Sequence, residues 1–381
     1  MRPARLPLLP MGKIAVLRLA LLMSLSVLLP AQEVSLGRRF YLGTCGKGRG
    51  CGISLMEAGE GSGLRGLQFL PLDFASYMAI SPEGDVLYVA QEHRQQGGVA
   101  SYRIGEGGEL TFLSRWATPG IDYCHLVAAP GGRYVYGASY GSGKLVQFTV
   151  KAGMLTGAQV VLAHSPGEGG EAPHLHFAGI SPDGQFLCTV DLGLGVLESI
   201  PLDAQGNLRL EGLCRTQVLP AGSGPRHLAF SQRFPVAYLL NETANTVMTW
   251  RFDQGTWELL QTIPVAPLAP AETETYAAAI RLSPDESHLL VSNRGRDSLA
   301  SLAIGEGGRL LPESLTQRSV GKWPRDFAFL PQGDGVVVAC ERAGLLQLFP
   351  WNPQEGLQSV PSREAGGFSR PLAILPVPVL P

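Results

Sequence analysis

The side chains best suited to chemistry recur at two positions of a repeated pattern. Four or five residues before a turn, the chain places His125, His176, Arg226, His227 and Arg325. Ten or eleven residues after the start of such turns it places Asp191, Glu242, Asn293 and Arg294. Guanidinium groups bind carboxylates, phosphates and developing oxyanions, while imidazoles and carboxylates transfer protons. Brought together, these residues would suit an anionic or carbonyl-bearing small molecule.

His174-Leu175-His176 is the sharpest single motif, because residues two apart on a strand share a face. The pair could bind a metal ion, but no third ligand stands at a fixed spacing, and the chain has no Cys-x-x-Cys pair. We therefore favour proton transfer or substrate contact for these imidazoles. We expect neither a metal ion nor a cofactor.

These positions belong to a long repeat. Its turn segments start 47 to 52 residues apart, at Ser81, Ala129, Ser181, Ser231, Ser283 and Leu330. An apolar run precedes each turn, a Val/Leu/Tyr-rich run follows it, and two shorter runs come later. Equal periods of this length in β-rich sequence are typical of propeller blades with four strands each. RRFYLGTCG, with Tyr41 in register with Tyr88, supplies a seventh copy.

The two ends of the repeat array complement each other. FYLGT matches a second strand without a first strand. SRPLAILP, which ends at Pro376, matches a first strand without a second and would place Arg370 in the position of Arg325. Joining the two would leave no open sheet edge. The sequence therefore predicts an all-β, seven-bladed propeller, closed by the C-terminal strand joining the N-terminal blade.

This fold would bring both polar positions together. The first strand of a propeller blade lines the central channel, and the second runs antiparallel beside it, so the start of one and the end of the other meet at one mouth. Any single polar residue could stand there only because strand ends meet water, and Arg226 or Arg325 could pair with an acid between blades. The clustering of histidines, arginines and Glu242 favours a site.

Residues 1–31 are expected to form a signal peptide. Arg2, Arg5, Lys13 and Arg18 precede the first acidic residue, and the apolar run over residues 14–29 is short for a spanning helix. A retained membrane anchor is the alternative, and Met11 is an alternative start. We expect residues 32–381 to form the propeller domain, in a periplasm or outside the cell.

Charge and cysteine content bound the remaining possibilities. The formal net charge is −2, and the part after the basic leader is more acidic still, which excludes a typical nucleic-acid binder. We expect a monomer that binds a small molecule and has no stable membrane insertion once the leader is removed. Cys45 and Cys51 could form a local disulfide in an oxidising compartment.

Several short motifs, in order along nearly the whole chain after the leader, resemble one known family. They are YLGT at 41–44, Cys124-His125, Pro173-His174-Leu175-His176, Asp191-Leu192-Gly193, Gly224-Pro225-Arg226-His227, Asn241-Glu242, Ser292-Asn293-Arg294-Gly295 and Pro324-Arg325-Asp326-Phe327. The chain resembles the seven-bladed lactonases that include bacterial 6-phosphogluconolactonase and fungal carboxy-cis,cis-muconate cyclase.

The resemblance implies a metal-independent reaction on a sugar lactone. The matching catalytic positions are His176, Arg226, Glu242 and Arg294. The matching rim positions, expected to contact substrate, are His125, His174, His227, Asp191, Asn293 and Arg325. The arginines would hold an anionic group and the oxyanion, Glu242 would activate water, and His176 would pass a proton to the leaving ring oxygen.

Two other functions remain open, a muconate-type cycloisomerase and a propeller that only binds a ligand. Within the lactonase reading, export favours an unphosphorylated aldonolactone, since phosphorylated sugars are normally cytoplasmic. The sequence departs from the family at the Cys45-to-Cys51 loop, at Leu194-Gly195 and at Ala138-Ser139-Tyr140. These changes are expected at the same rim, where they would alter the substrate.

Overall fold

The computed structural model describes residues 36–46, 50–59, 63–93, 95, 97–118, 121–266 and 274–378. Within these ranges the regular elements are β-strands and short 3-10 turns at Leu36–Arg38, Leu210–Gly212, Glu306–Gly308 and Pro312–Ser314. The described residues include no helix with the length and apolarity to cross a membrane. The expected leader, residues 1–31, lies outside the described part.

The described strands form seven antiparallel sheets, and in most of them neighbours along the chain pair with each other. Blade 1 contains β1 (Arg39–Thr44), β2 (Gly52–Gly59) and β3 (Gly63–Pro71). Blade 2 contains β4 (Ala75–Ile80), β5 (Val86–Gln91), β6 (Gly98–Ile104) and β7 (Leu110–Ala117). Blade 3 contains β8 (Tyr123–Ala128), β9 (Tyr134–Ser139), β10 (Lys144–Lys151) and β11 (Met154–Ala163). Blade 4 contains β12 (Leu175–Ile180), β13 (Phe186–Asp191), β14 (Val196–Pro201) and β15 (Cys214–Gln217).

The remaining blades follow the same plan. Blade 5 contains β16 (Pro225–Phe230), β17 (Val236–Asn241), β18 (Thr246–Asp253) and β19 (Thr256–Pro264). Blade 6 contains β20 (Tyr276–Leu282), β21 (His288–Arg294), β22 (Ser298–Ala303) and β23 (Thr316–Ser319). Blade 7 contains β24 (Pro324–Phe329), β25 (Gly335–Cys340), β26 (Leu345–Asn352), the short β27 (Gly356–Leu357) and β28 (Arg363–Gly366). The last strand, β29 (Pro371–Pro376), completes blade 1. The predicted seven-bladed propeller is confirmed.

Ring closure occurs as expected, but its register corrects one assignment. β29 pairs with β1, and Pro371 stands opposite Thr44 at the end of β1, as Pro324 stands opposite Cys340 at the end of β25. Leu372, not Arg370, is therefore the counterpart of Arg325. The sequence alignment of this segment was wrong by two residues, because it matched similar residue types and not the ends of the paired strands.

The inner strands of blades 2 to 7 share an irregularity near their start. The register shifts between Leu175 and Phe177, between Pro225 and His227, and similarly in the other four blades. A bulge places two residues opposite one on the neighbouring strand and re-aims their side chains. In blades 4, 5 and 7 the extra residues are His176, Arg226 and Arg325. The bulge therefore orients side chains that were predicted to belong to the site.

Apolar side chains pack between neighbouring blades, and buried tyrosines tie alternate pairs of blades together. The hydroxyl of Tyr41 donates to the carbonyl of Gly108 in blade 2 at 2.7 Å, and that of Tyr238 donates to Gly308 in blade 6 at 2.7 Å. Tyr136 makes the equivalent bond to Gly206. These three glycines have φ near +80°, a conformation that a turn gains cheaply only with glycine.

The six cysteines are free thiols in this structure, including Cys45 and Cys51. Both lie buried next to the closing strand: Ser369 Oγ donates to the Cys45 carbonyl at 3.3 Å, and Cys51 Sγ lies 3.6 Å from the same hydroxyl. Burial raises the pKa of the Cys45 thiol to about 11. Cys45 and Cys51 are thus two separate thiols in this structure.

Candidate functional site

Glu242 lies at the centre of the polar cluster at the channel mouth. Its Oε2 is 2.8 Å from Nε of Arg226, and its Oε1 is 2.9 Å from Nη2 of Arg294. The arginine side chains are 4% and 8% exposed, whereas that of Glu242 is 20% exposed. Burial alone would raise the pKa of Glu242, but the two guanidinium groups outweigh it and the pKa lies below its usual value. Glu242 is therefore ionised at neutral pH.

Backbone contacts from neighbouring strands hold this ion triad. The Glu242 N–H donates to the Gly224 carbonyl at 2.6 Å, and Arg226 donates to the Ala278 carbonyl in blade 6. Arg294 Nη2 donates to the Ala277 carbonyl at 3.2 Å. Burial lowers the pKa of Arg226 to about 10, although Glu242 opposes this. Both guanidinium groups are thus fixed and poorly hydrated, which strengthens their attraction for a further negative charge.

Aromatic rings support Arg294 from the rim. Its guanidinium carbon lies 5.8 Å from the ring centre of Tyr276 and 5.7 Å from that of Trp323. Trp323 directly precedes β24 and has a φ of +64°, and Phe74, directly before β4, has a φ of +59°. Left-handed backbone is unfavourable for such bulky residues and is found where the fold imposes it. The strain therefore falls at the mouth.

Three histidines lie together beside the triad. The ring centres of His176 and His227 are 5.1 Å apart, and those of His125 and His227 are 5.2 Å apart. Burial, followed by neighbouring arginines, holds the pKa of each well below 6.5. The Nδ1 atoms of His125 and His176 are buried and have no hydrogen-bond partner among the described residues. His176 is therefore a neutral imidazole with an uncommitted ring nitrogen.

His174 and His176 both contact Tyr140. The His174 ring stacks on Tyr140 with centres 4.3 Å apart and an angle of 10°, while the His176 ring meets it edge-on at 5.5 Å. His174 Nδ1 also lies 2.9 Å from the Tyr140 carbonyl oxygen. The two imidazoles thus flank one tyrosine at the mouth, and His174 is the more exposed of them.

Asp191 and Asn293 require a correction. Both are fully buried, and the hydrogen bonds of Asp191 go to His164 and to the backbone N–H groups of His174 and Leu194. Asn293 donates to the Val265 carbonyl at 3.1 Å. Their position at the strand end was predicted, but their side chains turn into the blades. Neither side chain is exposed at the rim, where substrate contact was expected.

Arg325 meets an acid that sequence reasoning did not single out. Its Nη2 lies 3.4 Å from Oε2 of Glu92, and Glu341 stands in the same polar position of its own blade. Both glutamates directly follow their second strands, as Glu242 does. Their shared position directly after a second strand is the sequence feature that could have identified them.

A second pair lies deeper along the inner strands. Arg281 Nη2 is 3.0 Å from Oδ1 of Asp326, whose Oδ2 accepts the N–H of Ile374 at 2.9 Å. Tyr77 lies nearby, with its ring centre 4.0 Å from that of His125. Among the described residues, no group of three or more His, Cys, Asp or Glu has the geometry of a metal site.

The chain is similar to known proteins along most of its length. A family model described as "Lactonase, 7-bladed beta-propeller" matches residues 39–365. The chain is 32% identical over 287 residues to a Bacillus subtilis 6-phosphogluconolactonase, covering 74% of this chain and 81% of that protein.

Solved structures show the same similarity. A Pseudomonas aeruginosa periplasmic gluconolactonase superposes with a TM-score of 0.77 at 29% identity, covering 89% of this chain and 99% of that one. A Lactobacillus plantarum protein superposes with a TM-score of 0.78 at 27% identity, covering 89% and 98%.

Proposed function

The chain belongs to the lactonase family of seven-bladed β-propellers, and we propose that it is a metal-independent hydrolase that opens a sugar lactone. The observation that carries this proposal is the triad of Arg226, Glu242 and Arg294 beside the neutral His176. It combines two fixed cations with an imidazole able to take a proton, which ester hydrolysis requires.

The arginines are the groups that stabilise charge in this mechanism. When water adds to the lactone carbonyl, negative charge develops on the carbonyl oxygen. Arg226 and Arg294 are held by backbone carbonyls before the substrate arrives, so they need little reorganisation. Removing one preorganised donor of this kind typically lowers kcat by about 10² to 10³.

The proton steps are better assigned to His176 than to Glu242. Both oxygens of Glu242 are already paired with arginines, whereas Nδ1 of His176 has no hydrogen-bond partner among the described residues. His176 is neutral, so it can accept a proton from the attacking water. The imidazolium so formed has a low pKa in this surrounding and readily gives that proton to the leaving ring oxygen. Glu242 then orients the two arginines and balances their charge.

An unphosphorylated aldonolactone is the substrate class that we propose. The basic, apolar residues 1–31 support export to a periplasm or beyond the cell, where sugar phosphates are scarce. A structural relative at 29% identity carries the description periplasmic gluconolactonase.

The first experiment measures the hydrolysis of glucono-1,5-lactone in a pH-stat, with a chelator present. Wild type should exceed the spontaneous rate. Glu242→Gln should lower turnover by about 10² or more, because it weakens both ion pairs that fix the arginines. Glu258→Gln, on an exposed salt bridge of β19, is the matched control and should retain full activity.

Two results would count against the proposal. No acceleration by wild type would favour the cycloisomerase or ligand-binding alternatives. Near-normal turnover by a folded Glu242→Gln variant would remove the triad from the mechanism.

A further inference from the structure

A second acid–arginine group lies beside the triad at the same mouth. Arg325 leaves the inner strand of blade 7 and reaches past blade 1 to Glu92 in blade 2. Leu372 occupies the equivalent position of blade 1 and has no charge to intervene. The Nη2 to Oε2 distance of 3.4 Å is longer than a normal charge-assisted hydrogen bond. Their side chains are 20% and 29% exposed, so both can take a further partner from solvent.

Glu341 is the third residue of this group, and its carboxylate can accept further hydrogen bonds. Its Oε1 accepts two hydrogen bonds from Arg370, at 3.0 and 2.6 Å. Its Oε2 is buried and has no hydrogen-bond partner among the described residues. A buried carboxylate oxygen without a donor is costly, so the site favours a ligand or water that donates a hydrogen bond there.

The charge pattern of this group disfavours a phosphate. Glu92, Glu341 and Glu242 all act electrostatically on Arg325. The Glu341 N–H donates at 2.9 Å to the carbonyl of Trp323, two residues before Arg325. A phosphate dianion would add negative charge where carboxylates already crowd. Hydroxyl groups can instead donate to the carboxylates and accept from the guanidinium.

We infer that Glu92, Arg325 and Glu341 form a subsite for substrate hydroxyl groups, which selects polyhydroxylated lactones without a phosphate. This inference rests on the proposed function. Arg325 is the bulged residue of its inner strand, as His176 and Arg226 are of theirs, so the subsite lies at the same mouth as the reacting groups. A lactone with its carbonyl at the triad would then extend its hydroxyl groups toward blades 7, 1 and 2.

The test compares three lactones: glucono-1,5-lactone, its 6-phosphate, and δ-valerolactone, which has the same ring size and no hydroxyl groups. Wild type should open gluconolactone with the highest kcat/KM of the three. Glu92→Gln should lower kcat/KM for gluconolactone by about tenfold or more, mainly through KM, because a charged acceptor is lost. The same substitution should leave δ-valerolactone within about twofold, since that ring makes no hydroxyl contact.

Each outcome separates the subsite from the reaction itself. If Glu92→Gln lowers kcat/KM equally for gluconolactone and δ-valerolactone, the subsite is overturned, although the protein is still a lactonase. A wild-type preference for the 6-phosphate would also overturn the subsite. This measurement does not depend on the folding of any variant. If wild type opens none of the three, the proposed function fails. Glu258→Gln is again the control and should preserve the wild-type order of substrates.

Discussion

At the scale of single residues, the site depends on burial more than on residue type. His176, His227 and His125 are ordinary histidines, but burial and nearby arginines hold the pKa of each well below 6.5. Arg226 and Arg294 are likewise changed by burial, which lowers the pKa of both. The result is a set of neutral bases beside two poorly hydrated cations, a combination that solvent-exposed residues would not give.

Replacement of His176 by Asn tests its assignment as the proton-transfer group. Loss of the imidazole should lower kcat by about 10² to 10⁴ and change KM little, since proton transfer occurs in the transition state. Wild-type kcat/KM should rise with pH and reach its plateau by pH 6.5, because the pKa of His176 lies below that value.

The control for this substitution is His288→Asn, a half-buried histidine at the far end of β21. It should retain wild-type activity. A pH profile of the wild type with its midpoint well above pH 6.5 would contradict the role of His176.

At the scale of elements, contacts between blades position the groups at the mouth. His164 directly follows β11 of blade 3 and enters blade 4, where Nδ1 lies 2.7 Å from Asp191 and Nε2 lies 3.1 Å from Glu198. Arg215 Nη2 and the Thr189 hydroxyl also bind Glu198, each at 2.7 Å. With a carboxylate at each ring nitrogen, both nitrogens must donate. Burial opposes the charge, but the two carboxylates prevail and raise the pKa of His164 to about 9.

This network predicts a loss of stability at alkaline pH. The pKa of His164 is higher in the folded state than its ordinary 6.5, so the stabilisation is complete below pH 6.5 and is lost as pH rises through about 9. The melting temperature of wild type should therefore fall between these pH values. His164→Gln should melt lower near pH 6 and show a smaller fall, so that the two proteins converge above pH 9. Parallel melting curves across this range would contradict a charged His164.

At the scale of the whole molecule, the ring depends on its last strand. β29 pairs with β1 and packs Ala373 and Ile374 against its neighbours, and the N–H of Ile374 donates to Asp326 in blade 7. Without β29, blade 1 would expose the edge of β1 and the channel would lose one inner strand. Open edges of this kind promote association between molecules.

Truncation after Ser369 tests this dependence. The shortened protein should lose cooperative melting and elute as aggregates in gel filtration, because blade 1 no longer closes the ring. Truncation after Pro378 keeps all of β29 and should behave as wild type. A folded monomer lacking β29 would show that the other blades hold the ring closed by themselves.

The sequence by itself determined the number of blades, the closure and the two polar positions at one mouth. Each of these follows from local chemistry repeated at a regular spacing, namely turn residues, strand alternation and strand ends. It also identified the family, since motifs such as Gly224-Pro225-Arg226-His227 survive in order.

Only the tertiary structure decided which members of those positions meet. Glu242 bridges Arg226 and Arg294, whereas Arg325 turns to Glu92 two blades away. Asp191, at the same strand end, is buried by His164 from another blade. A repeat gives a residue's place along its strand. Its partners depend on bulge geometry, side-chain reach and burial between blades, which bring together residues such as Glu92 and Arg325, 233 positions apart.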